Sequence, residues 1–266
     1  MHPIRLDIPG LNSRLILGTH DRYDTCVSRQ IREHRIWEPY ETGLVVRFLK
    51  PGDVFLDIGA NIGYYTVLAA AIAGNSGKVI AYEPDDENYR LLCENLCLNR
   101  ALNVIPVQAA VSDRDGSGHL FLSPDNKGDH RLYDSGDGRG SREIPVIHAG
   151  RHLRSITDRV NFIKIDTQGS EYRILNGLKD IILENRDHLT LMVEFWPWGL
   201  RQSGASGNEL LDLLESFDMT WLHIDHFGRK LWPVSPDFLR LWSDETDTDI
   251  GNEGFINLLL SNCREE

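Results

Sequence analysis

The chain has 266 residues and a formal net charge of −12, and 41% of its residues are hydrophobic. This length suffices for one large domain with a buried core and does not require two. The acidic balance, with no run rich in Lys and Arg, argues against nucleic acid as a partner, because a protein that meets phosphates needs a basic face. There is no basic-then-apolar signal segment and no apolar run long enough to cross a bilayer, so the sequence predicts a cytoplasmic protein without a membrane partner.

The first fifty residues are predicted to form an extension that packs on the rest of the chain. Residues 4–8 and 14–17 flank the sequence Pro9-Gly10-Leu11-Asn12-Ser13, which predicts a small hairpin. Two helical stretches follow, near residues 23–35 and 38–50. The sequence therefore predicts an N-terminal hairpin and helix extension over residues 1–50.

From residue 51 onward, strands and helices alternate. Strands are predicted at 54–58, 78–82 and 103–108, with helices at 64–73 and 86–99. The alternation stops between residues 112 and 149, which are rich in Gly, Asp and Ser. Two strand-like runs in this insertion, 119–122 and 143–148, predict a hairpin or flap over the strand ends, with the loop 125–142 partly mobile.

The alternation resumes with strands at 161–165, 190–195, 219–224 and 255–261 and helices at 170–184 and 207–216. This rhythm is typical of a parallel sheet with helices on both faces. Residues 51–266 are therefore predicted to form one α/β domain with seven core strands.

The strand at 54–58 ends in a glycine-containing turn that leads into a helix, Asp57-Ile58-Gly59-Ala60-Asn61-Ile62-Gly63. The two glycines permit a tight turn with close backbone approach to a ligand, and the helix directs its N-terminal amides at that turn. The next strand ends at Glu83, well placed to accept hydrogen bonds from two ribose hydroxyls. The pattern predicts a nucleotide pocket, with turn formation and helix capping by Asp57 as the alternative.

The first position of this turn indicates which nucleotide binds. Dinucleotide-binding folds carry G-x-G-x-x-G there, because the backbone presses against a pyrophosphate. Asp57 would place a negative charge against those phosphates, which disfavours NAD and FAD. The same acid suits a ligand with a cationic amino group and a sulfonium. S-adenosylmethionine is such a ligand, and it is the predicted cofactor.

Three motifs together resemble the FkbM-type methyltransferases. They are residues 55–66, the strand end Tyr82-Glu83-Pro84-Asp85 with Asn88 behind it, and residues 162–171, which contain Lys164-Ile165-Asp166-Thr167-Gln168-Gly169. The likeness runs from about Trp37 to Glu194 and continues more loosely to the C-terminus. The resemblance implies a Rossmann-like class I methyltransferase sheet whose last strand enters antiparallel. It also implies S-adenosylmethionine-dependent methylation of hydroxyl oxygens on sugars, macrolides or other natural products.

The resemblance also implies which residues hold the cofactor. The methionine part would lie against Gly59, Ala60, Asn61, Gly63 and Thr66. Glu83 would hold the ribose, and Gln108 with Ala109 the adenine edge. The predicted cofactor set is completed by Asp57, Pro84, Asn88 and Asp166. Glu38 would hold the methionine end, or it is an acid that favours the dipole of the helix it precedes.

Methyl transfer to an alcohol needs a base near the oxygen, because a protonated alcohol is a poor nucleophile; such a base contributes roughly 10² to 10⁴ in rate. Asp166 is the first candidate, since it ends a predicted strand inside a family-like motif. His130, in the insertion, is the second. Each has a structural alternative: Asp166 as a cap for the helix near Ser170, and His130 as a polar loop residue.

The predicted substrate contacts are Glu194, Trp196 and Arg131. Asp166 and Glu194 could together hold a divalent cation, as in catechol-type methyltransferases, but the acid-rich strand end is incomplete and a metal is disfavoured. Two other functions fit less well: a scaffold that binds S-adenosylmethionine without turnover, and a nicotinamide oxidoreductase. The expected partner is a small-molecule hydroxyl compound, and the oligomeric state is left open, a homodimer included.

Overall fold

The N-terminal extension begins with the hairpin that the sequence predicts. In the computed structural model, which describes residues 3–20, 24–248 and 254–263, β1 (Ile4–Arg5) pairs antiparallel with β2 (Ile16–Leu17). Two helices follow, α1 (Val27–His34) and α2 (Pro39–Phe48). Pro39 suits the first turn of α2, where a missing N–H leaves no hydrogen bond unmade. Residue 23, the predicted start of the first helix, lies outside the described residues.

The next five elements follow the predicted alternation. They are β3 (Val54–Ile58), α3 (Tyr64–Ala73), β4 (Lys78–Tyr82), α4 (Asp86–Asn99) and β5 (Val104–Val107). All of β3 is buried, as expected of a central strand covered on both faces. Asp85 caps α4, because its side chain accepts hydrogen bonds from the N–H groups of Glu87 and Asn88.

The insertion forms a small separate sheet, which is more than the predicted hairpin. β6 (Ala110–Ser112) pairs in parallel with β8 (Ser141–His148), and β7 (Gly116–Phe121) pairs antiparallel with β8. A small core of its own lies beneath, made of Ala110, Leu120, Ile144 and Val146. The sequence does not indicate β6 because a three-residue strand is too short to show a period of two.

The second half contains every element that was predicted for it and several others. In chain order they are α5 (Ala149–Arg154), β9 (Phe162–Ile165), α6 (Glu171–Asn185), β10 (Thr190–Phe195), α7 (Pro197–Gln202), α8 (Gly207–Glu215), β11 (Trp221–Asp225), β12 (Lys230–Pro233), α9 (Pro236–Thr248) and β13 (Ile256–Ser261). The sequence prediction lacks α5, α7, β12 and α9. None of the helices in the described part of the chain is both long and apolar enough to cross a bilayer.

The main sheet has eight strands in the order β12-β11-β13-β10-β9-β3-β4-β5. Seven of these are the predicted core strands, and β12 adds an edge strand antiparallel to β11. β13 runs antiparallel to both β10 and β11, as the resemblance implies. Because β4, β3, β9 and β10 are adjacent and parallel, the residues that follow them, Glu83, Gly59, Asp166 and Trp196, meet at one edge of the sheet.

Candidate active site

The carboxyl ends of the parallel strands border an inner cavity and an adjoining outer cleft. The inner cavity is lined by Glu83, Pro84, Asn88, Ala109, His130 and Leu132, among others. The outer cleft, of about 450 Å³, is lined by Glu38, Asp57, Ala60, Tyr65, Arg131, Lys164, Glu194 and Trp196, among others. Both contain Gly59, Asn61, Gly128, Asp166 and Gln168. The cavity and the cleft therefore adjoin along these five residues.

The turn after β3 is shaped by close contacts within the protein. Gly59 has a φ of 85°, and a Cβ atom there would lie 2.0 Å from the carbonyl oxygen of Asp166. Gly63, which precedes α3, also has a φ of 85°. A Cβ atom on Gly63 would lie 2.4 Å from the side chain of Leu92 in α4. Packing against backbone thus requires glycine at position 59, whereas at position 63 the positive φ favours it. Gly59 lines both the inner cavity and the outer cleft, whereas Gly63 lines neither and packs against Leu92.

Asp57 is buried beneath the outer cleft at the end of β3. Its carboxylate accepts a hydrogen bond from the hydroxyl of Thr66 on α3. Thr66 is therefore a partner of Asp57 and does not line the cleft. Burial raises the pKa of Asp57 to about 6, although the nearby Lys164 ammonium opposes this shift.

Glu83 ends β4 and forms one wall of the inner cavity. Its Oε2 accepts the backbone N–H of Asn61 at 2.8 Å, and its Oε1 accepts the backbone N–H of Asp85 at 2.9 Å. Burial raises the pKa of Glu83 to about 8. When Glu83 is ionised, each carboxylate oxygen has two lone pairs, so both can accept a further hydrogen bond from a ligand hydroxyl.

Residues Ser123–Tyr133, which we call the strap, cross over the inner cavity. The carbonyl oxygen of Lys127 accepts hydrogen bonds from the side-chain amides of Asn61 and Asn88, at 3.3 and 3.0 Å. The carbonyl oxygen of Asp125 accepts two from Thr25, both at 2.8 Å. The strap is thereby tied to the cavity wall and to the N-terminal extension.

A buried lysine lies among the acids of the outer cleft. The Lys164 Nζ donates to Asp166 Oδ2 at 2.9 Å, and the lysine side chain is only 7% exposed. Burial alone would lower the pKa of Lys164, but the carboxylates of Asp166, Glu38 and Asp57 raise it. Conversely, burial alone would raise the pKa of Asp166, but the Lys164 ammonium keeps it below its usual value. Asp166 is therefore ionised at neutral pH.

Two further acids of the cleft have raised pKa values. Glu38 accepts a hydrogen bond from the Tyr65 hydroxyl at 2.8 Å, and burial raises its pKa to about 7. Burial and the charge of Asp166 raise the pKa of Glu194 well above its ordinary value. Gln168 connects the acids, because its Nε2 donates to Asp166 Oδ1 at 3.3 Å and to Glu194 Oε2 at 3.1 Å.

Three residues of the outer cleft have left-handed backbone conformations without being glycine. They are Glu38, Asn61 and Gln168, with φ values of 41°, 51° and 55°. Such conformations cost free energy and concentrate at functional sites. Their gathering in one cleft supports its assignment as the active site.

Trp196 and Arg131 line one wall of the outer cleft, and Trp198 packs against both. The Arg131 guanidinium lies 5.1 Å from the ring centroid of Trp196 and 5.4 Å from that of Trp198. Its Nε donates to Asp129 at 2.7 Å, which fixes the guanidinium over the rings. The indole N–H of Trp196 is buried without a hydrogen-bond partner among the described residues. This wall can contact the apolar face of an acceptor molecule.

The acids of the cleft are not arranged as a metal centre. Within the described ranges, no group of three or more His, Cys, Asp or Glu side chains could hold a metal ion. Asp166 and Glu194, the predicted pair, are joined by the amide of Gln168. The Lys164 ammonium already occupies the position of a cation next to Asp166.

The family model described as the methyltransferase FkbM domain matches residues 57–220, more than half of the chain. The chain belongs to the FkbM methyltransferase family. The resemblance inferred from the three motifs is confirmed, and so is the class I methyltransferase fold.

Named relatives of this FkbM-family chain are similar to it at low identity. "Methyltransferase sdnD" of Sordaria araneosa is 25% identical over 190 residues, 57% of this chain and 70% of sdnD. "31-O-demethyl-FK506 methyltransferase FkbM" of Streptomyces tacrolimicus is 28% identical over 162 residues, 50% of this chain and 62% of the relative. The solved methyltransferase FkbM of Methylobacillus flagellatus KT matches with a TM-score of 0.45 and 18% identity, over 78% of this chain and 43% of that chain. The chain thus spans about two thirds of these curated relatives and under half of the solved structure.

Most of the predicted site residues lie in the cavity or the cleft of this FkbM-family chain. Three do not line either: Gly63 and Thr66 support the turn, and Gln108 is exposed and donates to Asp86 on the outer surface. The sequence analysis missed Lys164, Gln168 and Tyr65. Lys164 carried a usable signal, because it precedes Asp166 by two positions on a strand and so shares its face. Gln168 lies in the same family-like motif as Asp166, but its contact with Glu194 depends on a partner distant in sequence. Tyr65 carried no signal, since its partner Glu38 is also distant in sequence.

Proposed function

We propose that this FkbM-family chain is an S-adenosylmethionine-dependent O-methyltransferase that acts on a hydroxyl of a small molecule, such as a sugar or a natural product. One observation carries the proposal. The inner cavity, which Glu83 lines, adjoins the outer cleft, which Glu38 and Asp57 line. An acceptor for ribose hydroxyls and acids for a cationic amino group thus line two adjoining spaces.

The residues present fit S-adenosylmethionine. In the inner cavity, Glu83 can accept hydrogen bonds from ribose hydroxyls, and apolar side chains such as Leu120, Leu132 and Ile174 suit a flat base. The Nε2 atom of His130 is buried there with no hydrogen-bond partner in the described chain. In the outer cleft, Glu38 and Asp57 would hold the amino group of the methionine part. When bound, the cofactor supplies an electrophilic methyl group.

The outer cleft would then position the acceptor. The aromatic wall of Trp196 and Trp198, braced by Arg131, would contact a ring or macrocycle face. Asp166 is the proposed base, because the Lys164 ammonium keeps its carboxylate ionised and able to accept a proton at neutral pH. Gln168 holds Asp166 and Glu194 together, which would fix their geometry around the acceptor hydroxyl.

An oxygen acceptor agrees with the relative from Streptomyces tacrolimicus, whose name refers to 31-O-demethyl-FK506. The alternative function is a scaffold that binds S-adenosylmethionine without turnover. The ionised Asp166 beside the aromatic wall favours the enzyme, because a binding scaffold has no need of a base at that position.

The test is methyl transfer from S-adenosylmethionine that carries an isotopically labelled methyl group. The protein is incubated with a panel of hydroxylated sugars and macrolides, each paired with its O-methylated form as a control. We expect labelled product from the hydroxyl compound, none from its methylated partner, and one S-adenosylhomocysteine per product by mass spectrometry. Cofactor binding without S-adenosylhomocysteine formation on any acceptor would favour the scaffold.

A further inference from the structure

The tautomer of His130 follows from one hydrogen bond. Its Nδ1 lies 3.0 Å from the backbone nitrogen of Ser123, whose N–H donates to it. A neutral imidazole has one acceptor nitrogen and one N–H, so the proton resides on Nε2. Burial lowers the pKa of His130 to about 4, which keeps the ring neutral at pH 7. In this state, Nε2 can donate a hydrogen bond but cannot accept a proton.

The Nε2–H group has no partner within the described protein. The atom is buried and makes no hydrogen bond, although His130 lines the inner cavity. A buried donor without a partner carries a desolvation penalty that is rarely tolerated in native structures. This donor is therefore suited to a ligand that fills the cavity.

The position of His130 in the strap determines what kind of ligand atom it meets. His130 and Leu132 line the inner cavity, whereas Arg131, between them, lines the outer cleft. This alternation agrees with the extended pairing of Arg131 with Phe121. His130 thus lines the same cavity as Leu132, Leu120 and Ile174, whose apolar side chains suit a flat heteroaromatic ring.

The strap also holds the imidazole in place. Ser123 and His130 belong to the same segment, and Lys127 between them is bound through its carbonyl oxygen by Asn61 and Asn88. A donor fixed in this way can discriminate between ring atoms, because it cannot turn to find another acceptor.

We propose that the Nε2–H of His130 donates a hydrogen bond to a ring nitrogen of the cofactor's adenine, which makes His130 a binding residue for the base. The inference rests on the proposed function, because it takes S-adenosylmethionine as the ligand. It replaces the sequence-based hypothesis that His130 is a general base.

The test compares S-adenosylhomocysteine with its 1-deaza, 3-deaza and 7-deaza analogues, in each of which one ring nitrogen is replaced by C–H. Affinities are measured by calorimetry for the wild type, His130→Leu and His130→Gln, with His119→Leu as a control at an exposed histidine. We expect one analogue to bind the wild type and the control on the order of tenfold more weakly than S-adenosylhomocysteine. His130→Leu should lose a similar factor for S-adenosylhomocysteine and no longer discriminate against that analogue.

His130→Gln retains an N–H donor near the position of Nε2, so it should recover part of the discrimination. The proposal is overturned if the wild type binds all three analogues as tightly as S-adenosylhomocysteine, or if His130→Leu discriminates as the wild type does. Absence of any S-adenosylhomocysteine binding by the wild type would contradict the proposed cofactor instead, so the two failures are distinguishable.

Discussion

Lys164 determines how the acids of the outer cleft behave. It pairs in register with Asp57 on the neighbouring strand and donates to Asp166 two residues ahead. Desolvating an ion pair is costly, and removing one partner leaves an uncompensated buried charge. Removing the charge of Asp166 would therefore change both the chemistry of the cleft and the stability of the protein, because the Lys164 ammonium would lose its partner.

Replacement of Asp166 by Asn is expected to separate a base from a cofactor contact. Asn keeps the shape of the side chain but cannot accept the proton, so turnover should fall by about 10² or more while cofactor affinity changes little. The melting temperature should also fall, because Lys164 loses its charged partner. Steady-state kinetics and calorimetry measure the two effects.

The control for Asp166→Asn is Glu94→Gln, which removes an exposed ion pair with Arg90. It should leave turnover and the melting temperature nearly unchanged. Near-wild-type turnover in Asp166→Asn would mean that the base is elsewhere. Recovery of its activity by added divalent metal would instead identify Asp166 as a metal ligand.

Replacement of Glu83 by Gln is expected to weaken cofactor binding. Above pH 8, where Glu83 is ionised, its carboxylate is the acceptor for ribose hydroxyls, and its loss should cost roughly 1.5–3 kcal/mol per charged hydrogen bond. Gln is preferable to Ala, because its amide oxygen still accepts one of the N–H groups of Asn61 and Asp85, whereas Ala leaves both without an acceptor. Calorimetry on the folded variant measures the loss, with the exposed Glu143→Gln as the control. Unchanged affinity would place the ribose contact elsewhere.

At the scale of elements, the turn between β3 and α3 supplies residues that line both the inner cavity and the outer cleft. Its sequence indicates both the strand and the helix, since an apolar run ends in glycines and a helical segment follows. What the glycines contact was not predictable, because Gly59 meets Asp166 and Gly63 meets Leu92, both far away in sequence. Local patterns indicate that a turn exists, and the fold determines what the turn packs against.

Gly59→Ala is expected to disrupt this turn. The added Cβ would collide with the Asp166 backbone, and the residue would be strained at positive φ, so we expect destabilisation of at least about 1–3 kcal/mol. The control is Gly43→Ala in α2, where a Cβ meets nothing within 4 Å. That change should stabilise the helix by about 0.5–1 kcal/mol. Denaturant unfolding measures both, and equal stability of the two variants would contradict the packing described for Gly59.

Three of the elements that the sequence analysis missed, β6, α7 and β12, are short or little buried. β6 and α7 are short, and an apolar period needs more residues to become visible. β12 is an edge strand with little burial, so its sequence lacks a buried face. Buried elements such as β3 and α4 impose an apolar pattern on the sequence, whereas these three segments take their conformation from neighbours that sequence reasoning cannot place.

At the scale of the whole molecule, several buried acids have raised pKa values at one edge of the sheet. Asp57, Glu38 and Glu83 have pKa values of about 6, 7 and 8. A raised pKa in the folded state means that the folded protein holds protons that the unfolded chain releases. Their contribution to stability is complete below the unfolded pKa values, near 4, and is lost as the pH rises to about 8.

We therefore expect the unliganded protein to lose stability between about pH 5 and pH 8. Asp166, whose pKa is lowered, contributes its stabilisation throughout that range and does not oppose the trend. Glu38→Gln should remove on the order of 2 kcal/mol of the pH-dependent change. Unfolding by denaturant at several pH values tests this, and a stability that rises from pH 5 to pH 8 would contradict it.

The sequence predicted which residues make up the site better than it predicted the contacts between their side chains. Asp57, Glu83 and Asp166 were predictable because each ends a buried strand, and parallel strands bring their carboxyl ends to one edge. The bridge that Gln168 makes to Glu194 and the tautomer of His130 were not predictable, since each depends on a distance between groups that the sequence does not place, whereas the spacing of Lys164 and Asp166 carried a usable signal. Those contacts decide which acid is ionised and which nitrogen carries a proton.

The most direct test of the central claim is a calorimetric titration of the wild-type protein with S-adenosylhomocysteine and, separately, with NAD. We predict that one S-adenosylhomocysteine binds per chain and that NAD produces no binding heat, because Asp57 stands where a dinucleotide fold has glycine. At a concentration 100 times the dissociation constant, the adenosyl ligand should raise the free energy of unfolding by about 2.7 kcal/mol. Binding of NAD with no binding of S-adenosylhomocysteine would contradict the account.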